Sequence, residues 1–165
     1  MERSFEYTVF DSASFLPPEQ QKLLEAATSA MDTSYSPYSR YRVGAAVRLK
    51  SGLIVTGSNQ ENASYGLTEC AERTALFSVG VQGHKNEVRE IAIMARGENH
   101  EPTEKVAQSC GACRQVMKEY EDLSGEETTI LTSSPGSPIY SIKGVDSILP
   151  FSFGPKDLGV DIPQN

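Results

Sequence analysis

The sequence predicts an α/β fold of three layers, a mixed central sheet with helices on both faces, and three observations predict it. Helical and strand periodicities alternate along the chain. The run Ile91-Ala92-Ile93-Met94-Ala95 is unbroken apolar, as a strand covered on both faces requires. No internal repeat, low-complexity segment or linker interrupts the pattern, and 165 residues amount to one domain, 1–165, at roughly 100–200 residues per domain.

The elements follow in order. Pro17 and Pro18 open a helix that runs to Met31, because Leu23, Leu24, Ala27 and Met31 recur at helical spacing. Residues 34–39 are turn chemistry. After them Tyr41, Val43, Ala45, Val47 and Leu49 alternate with Arg42, Gly44, Ala46, Arg48 and Lys50, which predicts a strand with one polar face. Ser51-Gly52 separates it from residues 53–56, so the pair forms a hairpin. Residues 68–81 predict a helix leading into the 91–95 strand. Val116, Met117, Tyr120 and Leu123 predict another helix, and residues 128–131 the next strand. Phe151 and Phe153 read by default as core residues, and 154–165 as a polar, proline-bearing surface tail. His84 and His100 lie in polar stretches and read as exposed.

Composition excludes several function classes. Fifteen basic against 22 acidic residues give a net charge of −7, which repels nucleic acid and anionic membranes. No apolar run approaches the roughly 18 residues of a membrane helix, and the opening residues 1–6 lack a basic region followed by an apolar one. The expectation is a cytoplasmic protein with no membrane partner. Three cysteines cannot all pair within one chain, which excludes a disulfide scaffold. Cys110 and Cys113, closely spaced, with a distant Cys70, point to metal binding or redox chemistry.

The chemistry concentrates in Thr68-Glu69-Cys70-Ala71-Glu72-Arg73 and Ser109-Cys110-Gly111-Ala112-Cys113-Arg114-Gln115, each preceding a predicted helix. A helix start stabilises thiolates through its positive dipole end and free N–H groups. Three cysteines at two helix starts can close around one Zn²⁺ per chain and leave one tetrahedral position open, the pattern of a catalytic zinc. Glu72, two residues beyond Cys70, reaches that open position only because both stand at a helix end. There it acts as a proton shuttle and not as a ligand. Three thiolates on a divalent ion leave a net charge of minus one, and Arg73 is the compensating cation beside them.

Cys-x-Glu followed by Cys-x-x-Cys is the signature of zinc nucleobase deaminases, with Cys in the place that others fill with His. With residues 35–46, 59–65 and 149–155 added, the chain closely resembles the small homotetrameric cytidine deaminases over roughly residues 24–158. The resemblance implies a cytidine deaminase-like fold and hydrolytic deamination of cytidine and deoxycytidine in pyrimidine salvage. It further implies a homotetramer with shared active sites. Asn59 and Glu61 would hold the ribose hydroxyls, and Ala63 and Tyr65 would border the sugar of a neighbouring subunit's site. The backbone of Ala71 would meet the pyrimidine, Tyr41 would stand against the base, and Phe153 would stack on the base from another subunit. Three positions differ from the family pattern: Tyr41 replaces Phe, Gly66 replaces Pro, and Ser109 replaces the Pro before the Cys pair. Two alternatives remain: a deaminase of a related aminopyrimidine nucleoside, and a non-catalytic zinc module, which would need a fourth ligand.

Overall fold

A computed structural model describes residues 4–97 and 106–160. The expected His100 surface position and the end of the predicted tail, 161–165, lie outside the described residues. The chain forms β1 (Tyr7–Phe10), α1 (Pro18–Ala30), β2 (Arg42–Leu49), β3 (Ile54–Ser58), α2 (Ala71–Val81), β4 (Val88–Arg96), α3 (Gly111–Ser124), β5 (Thr129–Ser133) and β6 (Ile139–Lys143). One six-stranded sheet has the order β1-β6-β5-β4-β2-β3. It is mixed, as expected: β4 and β5 are parallel and the other neighbours antiparallel.

Helices cover both faces. On one side Leu23, Leu24, Ala27 and Met31 of the α1 region pack with Ala46, Ala92, Met94, Leu131 and Ile139. On the other, Ala71, Ala75, Leu76 and Val79 of α2 and Cys113, Met117 and Tyr120 of α3 pack with Val47, Ile91, Ile93 and Ile130. Burying these side chains removes apolar surface from water, worth about 1.5–3 kcal/mol for each large residue.

Several expectations are corrected. β2 has no polar face, since Gly44 through Val47 are buried. Its second row is small instead of polar because α1 lies against it: a Cβ on Gly44 would overlap the Ala27 carbonyl oxygen. Arg48, at the end of that row, is ion-paired to the buried Glu90 at 2.6 Å. Strands β1 and β6 were not anticipated, because four and five residues interrupted by Thr8 and Ser141 carry almost no period-two signal. Phe151 and Phe153 are 94% and 56% exposed and belong to no core. The described part of the tail is surface, but it contains a turn of helix at Pro155–Leu158, where the Gly154 N–H donates to Asp157 Oδ2 at 2.8 Å. His84 is half-buried against Glu87, Nδ1 to Oε1 2.8 Å, so it is not the fully exposed residue expected.

Candidate functional site

Both cysteine segments stand at helix starts, as expected, although the first helix begins at Ala71 and not at Thr68, residues 68–70 being extended into its N-cap. α2 begins at Ala71 with Cys70 at its N-cap, and α3 begins at Gly111 with Cys110 at its N-cap. The loop before α2 is closed by a two-bond bridge: Gln60 N–H donates to Glu69 O at 2.9 Å, and Glu69 N–H donates to Gln60 O at 3.0 Å. This bridge returns the chain to the sheet edge just before Cys70. Gly57 of β3 completes the placement. A Cβ there would stand 2.8 Å from the Ala71 carbonyl oxygen and closer still to the Ala75 amide, so only glycine lets the first turns of α2 lie on the strand.

The three sulfurs converge. Cys70 Sγ and Cys110 Sγ are 3.9 Å apart, Cys110 Sγ and Cys113 Sγ 3.4 Å, and all three lie within 4.8 Å of one another. Zn–S bonds of about 2.3 Å in a tetrahedron place sulfurs about 3.8 Å apart, so the triangle fits a zinc ion. Cys113 is buried, Cys70 half-buried and Cys110 exposed, which leaves the cluster open on the Cys110 side. Cys110 also caps α3, accepting from the Cys113 N–H at 3.5 Å. The electrostatics favour a cation. The Cys113 thiol beside it, helped by Arg73 and Cys110, brings Cys70 down to about 5. The same pairing, with burial, pushes Cys113 up.

Glu72, in the first turn of α2, is buried at 4% exposure. Burial pushes its carboxyl up to about 7. The negative charge on Cys70 adds to that push, while its own backbone N–H, the Cys113 thiol and Arg73 oppose it. A carboxyl balanced near neutrality exchanges protons in both directions, as general acid–base work requires. Arg73 Nη2 lies 3.9 Å from Cys70 Sγ and 3.3 Å from the Thr68 carbonyl oxygen, and its Nε is 3.3 Å from Glu69 Oε2. Ala71, between the ligand segment and Glu72, is fully buried.

Asn59 and Glu61 occupy the loop after β3, and both have structural commitments. Asn59 Oδ1 accepts from Ser34 Oγ at 2.5 Å and from the Val43 N–H at 2.8 Å, and its Nδ2 donates to the Tyr41 carbonyl at 2.9 Å. One amide hydrogen is left over, so Asn59 offers a substrate one donor and no acceptor. Glu61 Oε2 accepts from the Tyr38 and Ser39 amides at 2.9 and 3.2 Å. Its slight burial raises the carboxyl. Hydrogen bonds from the Ser39 side chain and the two amides outweigh this and hold it below the usual carboxylate range. Oε1 receives neither amide.

Ala63, Tyr65 and Tyr41 stand exposed around this loop, and Tyr65 meets Tyr38 edge-on with ring centroids 5.7 Å apart. Phe153 lies on the C-terminal segment, its carbonyl accepting from Gln115 Nε2 at 2.8 Å. Gly57, Ser34, Arg114 and Gln115 were not singled out as site residues from the sequence. For Gly57 the available signal was a glycine directly after the 53–56 strand pattern. Arg114 and Gln115 end the second cysteine motif, which gives no sign of their distant partners, and Ser34 carries no local signature.

The family model for the cytidine and deoxycytidylate deaminase zinc-binding region matches residues 17–124, which include Cys70, Glu72, Cys110 and Cys113. The chain belongs to the cytidine and deoxycytidylate deaminase family, and zinc is its cofactor. It is 41% identical over 140 residues to a cytidine deaminase of Halalkalibacterium halodurans, covering 85% of this chain and 98% of that one. It is 37% identical over 132 residues to a cytidine deaminase of Mycobacterium tuberculosis, covering 80% and 87%. Among solved structures, a cytidine deaminase from Burkholderia pseudomallei superposes with a TM-score of 0.69 at 38% identity, covering 80% of this chain and 97% of that one. No helix among the described residues is long and apolar enough to cross a membrane.

Proposed function

We propose that this chain catalyses the hydrolytic deamination of cytidine and deoxycytidine to uridine and deoxyuridine with release of ammonia, as a cytoplasmic homotetramer serving pyrimidine salvage. The observation that carries the reading is the meeting of three sulfurs, from two helix starts, with a buried carboxyl in the first turn of α2. Cys70, Cys110 and Cys113 would hold the zinc, which when bound supplies Lewis acidity that brings the pKa of water near 7. Glu72 takes a proton from the attacking water as C4 becomes tetrahedral. It delivers that proton to N3, takes a second from the new hydroxyl group, and protonates the departing amine. One carboxyl thus serves as base and acid, and its position near neutrality suits both duties. Arg73 offsets the excess thiolate charge beside Cys70.

For the nucleoside, the spare Asn59 N–H and Glu61 Oε1 form a donor and acceptor pair for ribose hydroxyls. The Ala71 backbone and Tyr41 meet the pyrimidine. Ala63, Tyr65 and Phe153 act across a subunit boundary. The homotetramer is supported by the exposure of Tyr35, Tyr38, Tyr65, Phe151 and Phe153, apolar surface of the sort that subunit contacts cover.

The test is ammonia release by zinc-loaded protein across cytidine, deoxycytidine, cytosine, cytidine monophosphate and other aminopyrimidine nucleosides. Turnover of both nucleosides is expected. Turnover of a different aminopyrimidine with neither of these sinks the reading in favour of a related nucleoside deaminase.

A further inference from the structure

We propose that Arg114 and Gln115 are positioning residues, fastening the C-terminal segment that bears Phe153 to the loop that bears Cys110. The Arg114 guanidinium spans two parts of the chain. Its Nε donates to the carbonyl of Ser109, the residue before Cys110, at 3.0 Å, and its Nη1 donates to the Ile148 carbonyl at 2.8 Å. One residue further along α3, Gln115 Nε2 donates to the carbonyl of Phe153 itself at 2.8 Å. A guanidinium presents its N–H groups in a rigid planar fork, so two carbonyls bound to it are held at a set separation.

Ile148 and Leu149 rest against the core, but the segment beyond them needs such fastening, because Pro150, Phe151 and Phe153 are exposed. Phe151 has a left-handed φ of 58°, a conformation that costs energy for an aromatic residue. Neither its ring nor that of Phe153 enters the core. The same helix continues the function further along: Glu121 Oε2 accepts from the Thr128 and Val145 amides at 2.8 and 2.9 Å, and Lys118 Nζ lies 3.3 Å from Asp146 Oδ1. α3 therefore supplies ligands from its first turn and fixes the approach to residues 148–153 from its next residues. The inference rests on the reading of Phe153 as the ring that meets the pyrimidine. A shift of its backbone weakens substrate binding without touching the proton transfers at Glu72.

The test uses full-length, zinc-loaded protein and cytidine. Gln115→Glu keeps the size of the side chain and removes the donor. Arg114→Lys keeps the charge and removes the fork. Each raises KM by about three- to tenfold, the range of one lost hydrogen bond, with kcat within about twofold. Zinc content and mass by light scattering stay unchanged. In Gln115→Glu combined with Phe153→Ala, KM rises no further than in Phe153→Ala alone, because a residue acting through Phe153 has nothing left to position. An additive rise, or a fall in kcat with KM unchanged, overturns the positioning role. Should Arg114→Lys fail to fold, Gln115→Glu decides alone. An unaltered KM in Phe153→Ala overturns the reading of Phe153 and the positioning role with it, which distinguishes the two failures.

Discussion

The sulfur cluster and the aromatic rim differ in how far one chain completes them. Cys113 and Glu72 are buried, and the three sulfurs lie close enough for a tetrahedral ion without help from elsewhere. Around the nucleoside loop, Tyr38 and Tyr65 touch each other but are 46% and 74% exposed, and Phe153 projects from a segment held by its backbone. Metal ligation needs a few atoms at short fixed distances, which two helix starts provide. Enclosing a base and a sugar needs several hundred square ångströms of surface. On the proposed reading that surface comes from more than one chain.

The largest effect separates the two regions outright. Glu72→Gln should lower kcat by about 10²–10⁴ while zinc content and thermal stability are kept, since Glu72 holds no metal. Elemental analysis and single-turnover assays check this. Retention of more than about a hundredth of the rate would move the proton shuttle to another residue. Mixing sharpens the comparison. Glu72→Ala and Phe153→Ala chains, refolded together, should show activity above that of either variant alone at low substrate, because some sites combine an intact Glu72 from one chain with an intact Phe153 from another. Absence of recovery together with a monomeric mass would show that each chain completes its own site.

The metal half was legible because its signal is local. Cys70 and Glu72, or Cys110 and Cys113, are fixed by two or three residues of covalent chain, and a helix start turns that spacing into geometry. The sheet interior was legible where apolar residues ran unbroken, as at 91–95, and misread where close packing demanded smallness. Gly44 and Ala46 look polar by alternation, yet they are small because α1 lies on them. Asn59 was read as a ribose ligand, but its acceptor atom is already occupied by Ser34 and Val43, partners 25 and 16 residues away that no local pattern announces. Arg114 and Gln115 stand in the cysteine motif, but the carbonyls they reach, 34 and 38 residues further on, were equally invisible.

An intermediate effect probes how the sheet supports the metal half. Gly57→Ala places a Cβ against the Ala75 amide and the Ala71 carbonyl, backbone atoms that cannot swing aside. Overpacking of this sort costs about 1–3 kcal/mol, and it should lower both the unfolding midpoint and zinc affinity, because α2 carries Cys70. Gly66→Ala is the control on the nucleoside side. Nothing lies within 4 Å of its Cβ position, so stability should change by less than about 0.5 kcal/mol. Equal effects from the two variants would mean that β3 does not set the height of α2.

Apart from the Gly66→Ala control, the smallest expected effect tests the seam between the two regions at Ser109. This residue is 5% exposed, precedes Cys110, and uses its carbonyl to accept from Arg114. Proline keeps the backbone carbonyl and removes the N–H and the hydroxyl, so Ser109→Pro preserves the bond to Arg114. Proline also biases the preceding residue toward extended backbone, and Gln108 lies in a stretch, 106–110, with no helix or strand. If the Ser109 φ lies near −65°, the substitution removes freedom mainly from the unfolded chain. It should then raise stability by about 0.4–1 kcal/mol, read as a small increase in unfolding midpoint with zinc and KM unchanged. Unfolding or loss of zinc would show that the Ser109 N–H or its φ is part of the cluster's support. The metal half would then depend on a contact its short spacing does not reveal.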